Sequence, residues 1–283
     1  LSLADRYDES QMNSKTNGFY GAIIGDIVGS AFERSGIAPK DYPLFSKESH
    51  ITDDTVLTLA TMDLLLKGAI QTNDSLRIAT TYRTWGKRFP QAGYGGGFLW
   101  WLDHPIKGPY VSKGNGAAMR VSPVAYIAKS KKDCLSFAEN SAEVTHNTSE
   151  GIKGATTLAV LTSDAWLGMS KKDLQKEAES YYPIIQNGYH SFVARPRWSA
   201  LAEDTVPEAI SAFLESSSFE DCIRKAIRIG GDTDTLASMA GSIAGAFYGI
   251  EESLIDQALE RIEDGSALEV LARFAERIAK DSI

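Results

Sequence analysis

Two short stretches carry the residue types that could do chemistry. Thr52-Asp53-Asp54-Thr55 and Gly230-Gly231-Asp232-Thr233-Asp234-Thr235 each place two carboxylates and two hydroxyls directly before an apolar, helix-like run. One acid or one hydroxyl at such a place caps a helix, because it satisfies a free backbone N–H and faces the positive end of the helix dipole. Taken singly, each stretch reads as a cap. Two acids exceed what a cap needs, and the same arrangement occurs twice. If the two helix entrances converge, four carboxylates share one pocket and repel one another unless protons or cations relieve them. Carboxylate and hydroxyl oxygens, with no His or Cys in either stretch, are hard ligands that suit Mg²⁺ or Mn²⁺ better than Zn²⁺. The pair of motifs therefore reads as a metal site.

The elements that must position these residues are helical. Residues 19–33 follow a helical pattern in which Gly21, Gly25 and Gly29 share one face, and the late helix repeats the device at Ala237, Gly241, Gly245 and Gly249. Each glycine costs about 1 kcal/mol of helix propensity relative to Ala, so a glycine face implies close backbone approach. Packing these two helices together would bring Glu33 towards the acidic entrance of the late helix. Asp26, inside the first apolar run, needs partners: it caps another helix, supports a metal ligand or faces water. Further helical patterns cover residues 75–87, 135–145, 151–167, 171–182, 208–215, 219–229, 252–262 and 266–278. The run Gly93-Tyr94-Gly95-Gly96-Gly97 reads as a flexible loop, and Phe98-Leu99-Trp100-Trp101 after it as core. No GxGxxG or GxxxxGK[ST] fingerprint is present. Gly114-Asn115-Gly116, ahead of an Ala-rich segment, reads as a helix start whose backbone N–H groups could hold a phosphate, with a hairpin turn as the plainer alternative. His146 is one of only four histidines and stands just beyond a helix end. Strand-like alternation is scarce, so the expected fold is all-α.

With 283 residues, 43% of them hydrophobic, the chain can bury a large core, and no Pro/Ser-rich linker divides it. The expected organisation is a polar N-terminal arm over residues 1–17 and a single domain over residues 18–283. A formal net charge of −8 argues against a nucleic-acid partner and agrees with a cation site. Two cysteines, Cys134 and Cys222, without CxxC spacing suit a reducing compartment, with the cytoplasm as the expected location. No apolar run approaches the roughly 18 to 20 residues of a membrane span.

The segments together resemble the ADP-ribosylglycohydrolase family. The match lies in Gly25-Asp26-Ile27-Val28-Gly29-Ser30 with Glu33, Thr52-Asp53-Asp54-Thr55, Gly114-Asn115-Gly116-Ala117-Ala118-Met119-Arg120, Thr145-His146, and Gly230-Gly231-Asp232-Thr233-Asp234-Thr235, in the family order. The resemblance implies a compact helical bundle with two Mg²⁺ (or Mn²⁺) ions at the base of an ADP-ribose cleft. It implies Thr52, Asp53, Asp54, Asp232, Asp234 and Thr235 as metal ligands, and Glu33 and Asp232 as the catalytic acids. Ser112, Gly114, Asn115 and Gly116 fall on its ribose and pyrophosphate loop, and His146 on a substrate-contacting histidine. Lys113 stands where some relatives carry an aromatic residue, and Ser112 where some arginine-directed members place a carboxylate. The implied activity is metal-dependent removal of ADP-ribose from protein side chains, with the arginine N-glycosidic bond favoured and the serine O-glycosidic bond also open. A non-catalytic ADP-ribose-binding or crystallin-like structural protein and a phosphoester hydrolase with two metals are the alternatives.

Overall fold

The computed structural model describes residues 17–33, 41–193 and 198–281. The proposed arm thus lies outside the described residues except for its last position, Asn17. Fifteen α-helices follow in order: α1 (Gly21–Ser30), α2 (Asp53–Leu66), α3 (Ser75–Arg88), α4 (Gly96–Asp103), α5 (Gly116–Met119), α6 (Val124–Ile127), α7 (Lys131–Glu143), α8 (Ser149–Trp166), α9 (Lys171–Tyr181), α10 (Tyr189–Val193), α11 (Ala202–Glu215), α12 (Phe219–Ile229), α13 (Thr233–Tyr248), α14 (Glu252–Leu259) and α15 (Gly265–Asp281). Short 3₁₀ turns cover Gly18–Tyr20 and Pro183–Asn187. Among the described residues there is no strand, only one antiparallel bridge between Gly114 and Leu201. The all-α expectation holds.

Helix α13 is the axis of the bundle. Every residue from Thr233 to Ala246 is buried, because α1, α8, α11 and α12 surround it; a helix apolar on all sides has to be enclosed in this way. Its contact with α1 is the most extensive between any two described helices and follows from the glycine spacing. A methyl group added at Gly21, Gly25 or Gly29 would come within 3.0 Å of the backbone of Gly241, Ala237 or Thr233, and one added at Gly241 or Gly245 would strike the backbone of Gly21 or Gly18. Gly249 departs from this expectation: it lies past the helix end with φ 76°, where it terminates α13.

Several boundaries move for local reasons. The first helix stops at Ser30, and residues 31–33 form a turn that carries Glu33. Helix α11 begins at Ala202 rather than 208 and contains Pro207 in its second turn, where the missing N–H forfeits one helical bond. Helix α7 begins at Lys131, ahead of the expected 135, because Ser130 accepts the Asp133 N–H. The glycine-rich run ends in helix α4, which buries Phe98 and Trp101 but leaves Leu99 and Trp100 exposed, so the aromatic segment is core on one face only.

Candidate active site

The close approach of α1 to α13 sets the chemistry. Asp26 on α1 is fully buried and caps α2 from outside. It accepts the Thr52 N–H at 2.9 Å, the Thr55 N–H at 3.0 Å, the Thr52 hydroxyl at 2.6 Å and the Thr55 hydroxyl. Of the three roles open to Asp26, the structure shows the helix cap. Because Asp26 takes that duty, the acids of α2 are released for other work. Asp54, 1% exposed, accepts the Thr235 hydroxyl at 3.1 Å on one oxygen, while its Oδ1 has no hydrogen-bond partner among the described residues. The entrances of α2 and α13 therefore meet.

Two overlapping sets of carboxylates result. Oxygens of Asp26, Asp54 and Asp234 lie within 4.8 Å of one another, as do those of Glu33, Asp232 and Asp234, so Asp234 belongs to both. Asp53 belongs to neither set. It borders the loop at Gly93, its N–H donates to the Ala92 carbonyl at 2.7 Å, and its side chain faces the cleft. Thr52, the N-cap of α2, gives its hydroxyl proton to Asp26 and accepts the Asp54 N–H at 3.3 Å.

Burial raises the proton affinity of every Asp here. Burial lifts Asp54 and Asp234 well above the ordinary range, and neighbouring carboxylates add to the effect. Asp53 is pushed up to about 8 by burial and then by the charges of Asp26 and Asp232. Burial also raises Asp26 and Asp232 against the hydrogen bonds that they accept. The main influences on these groups include no positive side chain. Buried acids this close are held either by protons or by an added cation. The all-oxygen donor set, the orphaned Asp54 Oδ1 and the two sets sharing Asp234 fit hard divalent cations.

Glu33, Asp53, Asp232 and Asp234 line a cleft of about 540 Å³, a size that suits a nucleotide-like ligand, and Asp26 and Asp54 lie beneath it. Gly114, Asn115, Gly116 and His146 form part of its wall. The Gly-Asn-Gly turn is bound sideways to residues 200–202: the Asn115 N–H donates to Ala200 O at 2.8 Å and the Ala202 N–H to Lys113 O at 3.0 Å. The Gly114 N–H donates to Ser112 Oγ at 3.0 Å. The expectation of a set of free N–H groups is thereby corrected. Of the three, only Gly116 keeps an unengaged N–H among the described residues. Asn115 instead reaches the acids, donating from Nδ2 to Asp232 Oδ2 at 2.7 Å.

The sequence model described as ADP-ribosylglycohydrolase matches residues 10–282. The chain belongs to the ADP-ribosylglycohydrolase family. Family membership makes it a hydrolase of glycosyl bonds. It is 27% identical to the ADP-ribosylhydrolase ARH3 of Mus musculus, over 93% of this chain and 90% of that protein. It is 26% identical to the ADP-ribosyl-[dinitrogen reductase] glycohydrolase of Rhodospirillum rubrum, over 86% of this chain and 90% of that one. A solved structure titled ADP-ribosylglycohydrolase-related protein complex superimposes with a TM-score of 0.70 at 24% identity, covering 98% of this chain and 100% of that chain, which shows the common fold.

All the residues that the family resemblance singled out lie in or beneath this one cleft, but not in equal roles. Glu33, Asp54, Asp232 and Asp234 meet in the acid sets, Thr235 braces Asp54, Thr52 braces Asp26, and Asp53 stands to one side. Ser112 orders the loop through Gly114, and its carbonyl accepts the Thr148 hydroxyl at 2.7 Å. Sequence reasoning passed over Glu48, His50, Tyr110 and Trp198, which also line the cleft. His50 had a signal, since it lies two residues before Thr52. Trp198, 65% exposed, had none, because its place on the rim comes from the pairing of residues 200–202 with the Gly-Asn-Gly turn. Among the described residues no helix is long and apolar enough to cross a membrane.

Proposed function

We propose that the chain releases ADP-ribose from modified protein side chains by cleaving the bond at the ribose anomeric carbon, with arginine-linked ADP-ribose as the preferred substrate. The observation that carries this reading is the pair of carboxylate sets sharing Asp234 on the floor of a cleft walled by Gly114, Asn115, Gly116 and His146. Glu33 and Glu48 at the same cleft give it a negative character that suits a guanidinium leaving group.

Asp54, Asp232, Asp234 and Glu33 would hold two Mg²⁺ or Mn²⁺ ions, with Thr52, Asp53 and Thr235 beside them and Asp26 bracing Thr52. Such ions would orient the ribose hydroxyls and lower the pKa of a bound water. The protein groups do the remaining work. Asn115 fixes Asp232 through its amide, and Glu33, in the same acid set as Asp232 and Asp234, takes a proton from the attacking water. The water oxygen bonds to C1, the C1–N bond breaks, and the departing guanidine nitrogen takes up a proton. The Gly116 N–H and His146 face the pyrophosphate. As the leaving group departs, positive character develops on the ribose, as in other glycoside cleavages, and the negative floor stabilises it.

The test is incubation with arginine-linked and serine-linked ADP-ribosyl peptides, with Mg²⁺ or with chelator, followed by mass analysis. Metal-dependent release of ADP-ribose, faster from arginine, is the expected result. Binding of ADP-ribose without release from either peptide would instead indicate a non-catalytic binding protein, and turnover of a generic phosphoester alone would indicate a different hydrolase.

A further inference from the structure

The cleft wall contains a second polar assembly that uses none of the acids. Arg120 is completely buried, and its guanidinium stacks 4.1 Å over the Tyr82 ring. Its Nη2 donates to the Ser141 carbonyl at 2.9 Å and to Thr145 Oγ1 at 2.8 Å, whereas Nε and Nη1 have no partner among the described residues. No carboxylate pairs with it among the described residues. Thr145 Oγ1 in turn lies 2.8 Å from His146 Nδ1. The His146 ring is buried at 3% exposure and packs beside Gly116, where an added methyl would sit 3.2 Å from Nε2. Its Nε2 has no protein partner among the described residues and lies on the cleft wall.

We propose that Arg120 and Thr145 are positioning residues that fix His146 as a neutral imidazole with its proton on Nε2, directed into the cleft as a hydrogen-bond donor. This deepens the functional reading above and rests on it for the identity of the ligand, an ADP-ribose pyrophosphate or ribose oxygen.

The argument is one of proton count. A hydroxyl has one proton to give. Thr145 Oγ1 accepts from Arg120, so its own proton goes either to His146 Nδ1 at 2.8 Å or to the Ala142 carbonyl at 3.4 Å. The second choice would turn an Nδ1–H towards the hydroxyl that already accepts from the Arg120 cation, and positive charge on that side of the ring favours a bare Nδ1. With Nδ1 accepting, the single ring proton of neutral histidine sits on Nε2. Burial, and then the Arg120 charge, hold His146 well below the usual histidine range, which keeps the ring neutral. The other titratable group against the ring is Tyr110, 5.6 Å away and pushed up to about 12, hence neutral. The donor also fills a gap, because the Gly114 and Asn115 N–H groups are spent inside the protein and Gly116 alone remains.

Long-range ¹H–¹⁵N correlation spectra of the full chain labelled with ¹⁵N-histidine test this without any ligand. The other three histidines, His50, His104 and His190, are exposed, while a His146→Gln spectrum assigns the fourth. The expected His146 signal shows a protonated Nε2 and a bare Nδ1 throughout pH 5 to 8. Thr145→Val should lose that fixed tautomer and bind ADP-ribose about tenfold more weakly, in line with the loss of one hydrogen bond to a charged group; Thr145→Ser should restore both. A protonated Nδ1 in the native chain, imidazolium within that pH range, or an unchanged tautomer in a folded Thr145→Val protein overturns the proposal. If the tautomer is as described and ADP-ribose does not bind, the relay stands and the functional reading fails.

Discussion

The Thr235 hydroxyl donates to Asp54 Oδ2 at 3.1 Å and so ties the entrance of α13 to that of α2. The bond leaves Asp54 Oδ1 buried beside Asp26 and Asp234, without a hydrogen-bond partner among the described residues. An uncompensated acid at that position is costly in the metal-free protein and valuable once a cation arrives. Wild-type protein should gain roughly 2.7 kcal/mol of stability when Mg²⁺ is present at a hundred times its dissociation constant. Asp54→Asn should melt at or above the wild-type temperature in chelator and gain almost nothing from Mg²⁺. Thermal melts of both proteins with and without the ion check this, and an undiminished Mg²⁺ shift in the variant would contradict it.

The same crowding gives the metal-free protein a characteristic pH dependence. Asp53 binds its proton up to about pH 8 in the folded chain, against an ordinary value of about 3.9 once unfolded. Its folded-state pKa is raised, so the associated stability is present in full below about pH 4 and is lost as pH rises through about 8. In chelator, the denaturation midpoint should therefore fall across that window, and Asp53→Asn should fall less. Added Mg²⁺ should flatten the wild-type curve. Urea midpoints measured at pH steps from 5 to 8.5 give the slopes.

Gly25 has no room for a side chain, since a methyl there would strike the backbone of Ala237 and Ser238. Backbone cannot rotate away as a side chain can, so Gly25→Ala should cost about 1 to 3 kcal/mol as an overpacking change. Because Asp26 is the next residue, activity should fall further than stability alone accounts for. Gly108→Ala, at a site with open space around the added carbon, is the control and should stay within about 0.5 kcal/mol. Urea unfolding read beside turnover separates the two effects.

The sequence carried the helical class and the meeting of α1 with α13 because both rest on short-range periodicity, visible as glycines every fourth residue. The convergence of the two acidic entrances was legible for a different reason: the acids outnumber what capping needs. What was not legible depends on contacts between distant residues. The use of the Asn115 N–H by Ala200, which withdraws a donor from the cleft, has no local signature. Asp26 was visible as an anomaly, but its role as the cap of α2 required knowing which helix end lay beside it. Likewise, Asp53 and Asp54 are neighbours of the same type, and only the facing of the first helical turn sends one into the acid sets and the other towards the glycine-rich loop. Helix α11 began earlier than expected because tertiary burial of Ala202, Thr205 and Val206 outweighs the cost of Pro207.

Anomalous diffraction from crystals grown with Mn²⁺ tests the central claim most directly. The account requires two peaks on the cleft floor with Asp234 between them, Asp54 Oδ1 coordinated at one and Glu33 or Asp232 at the other. A protein that turns over ADP-ribosylated substrate while its crystals show no peak within reach of Asp234 would contradict it.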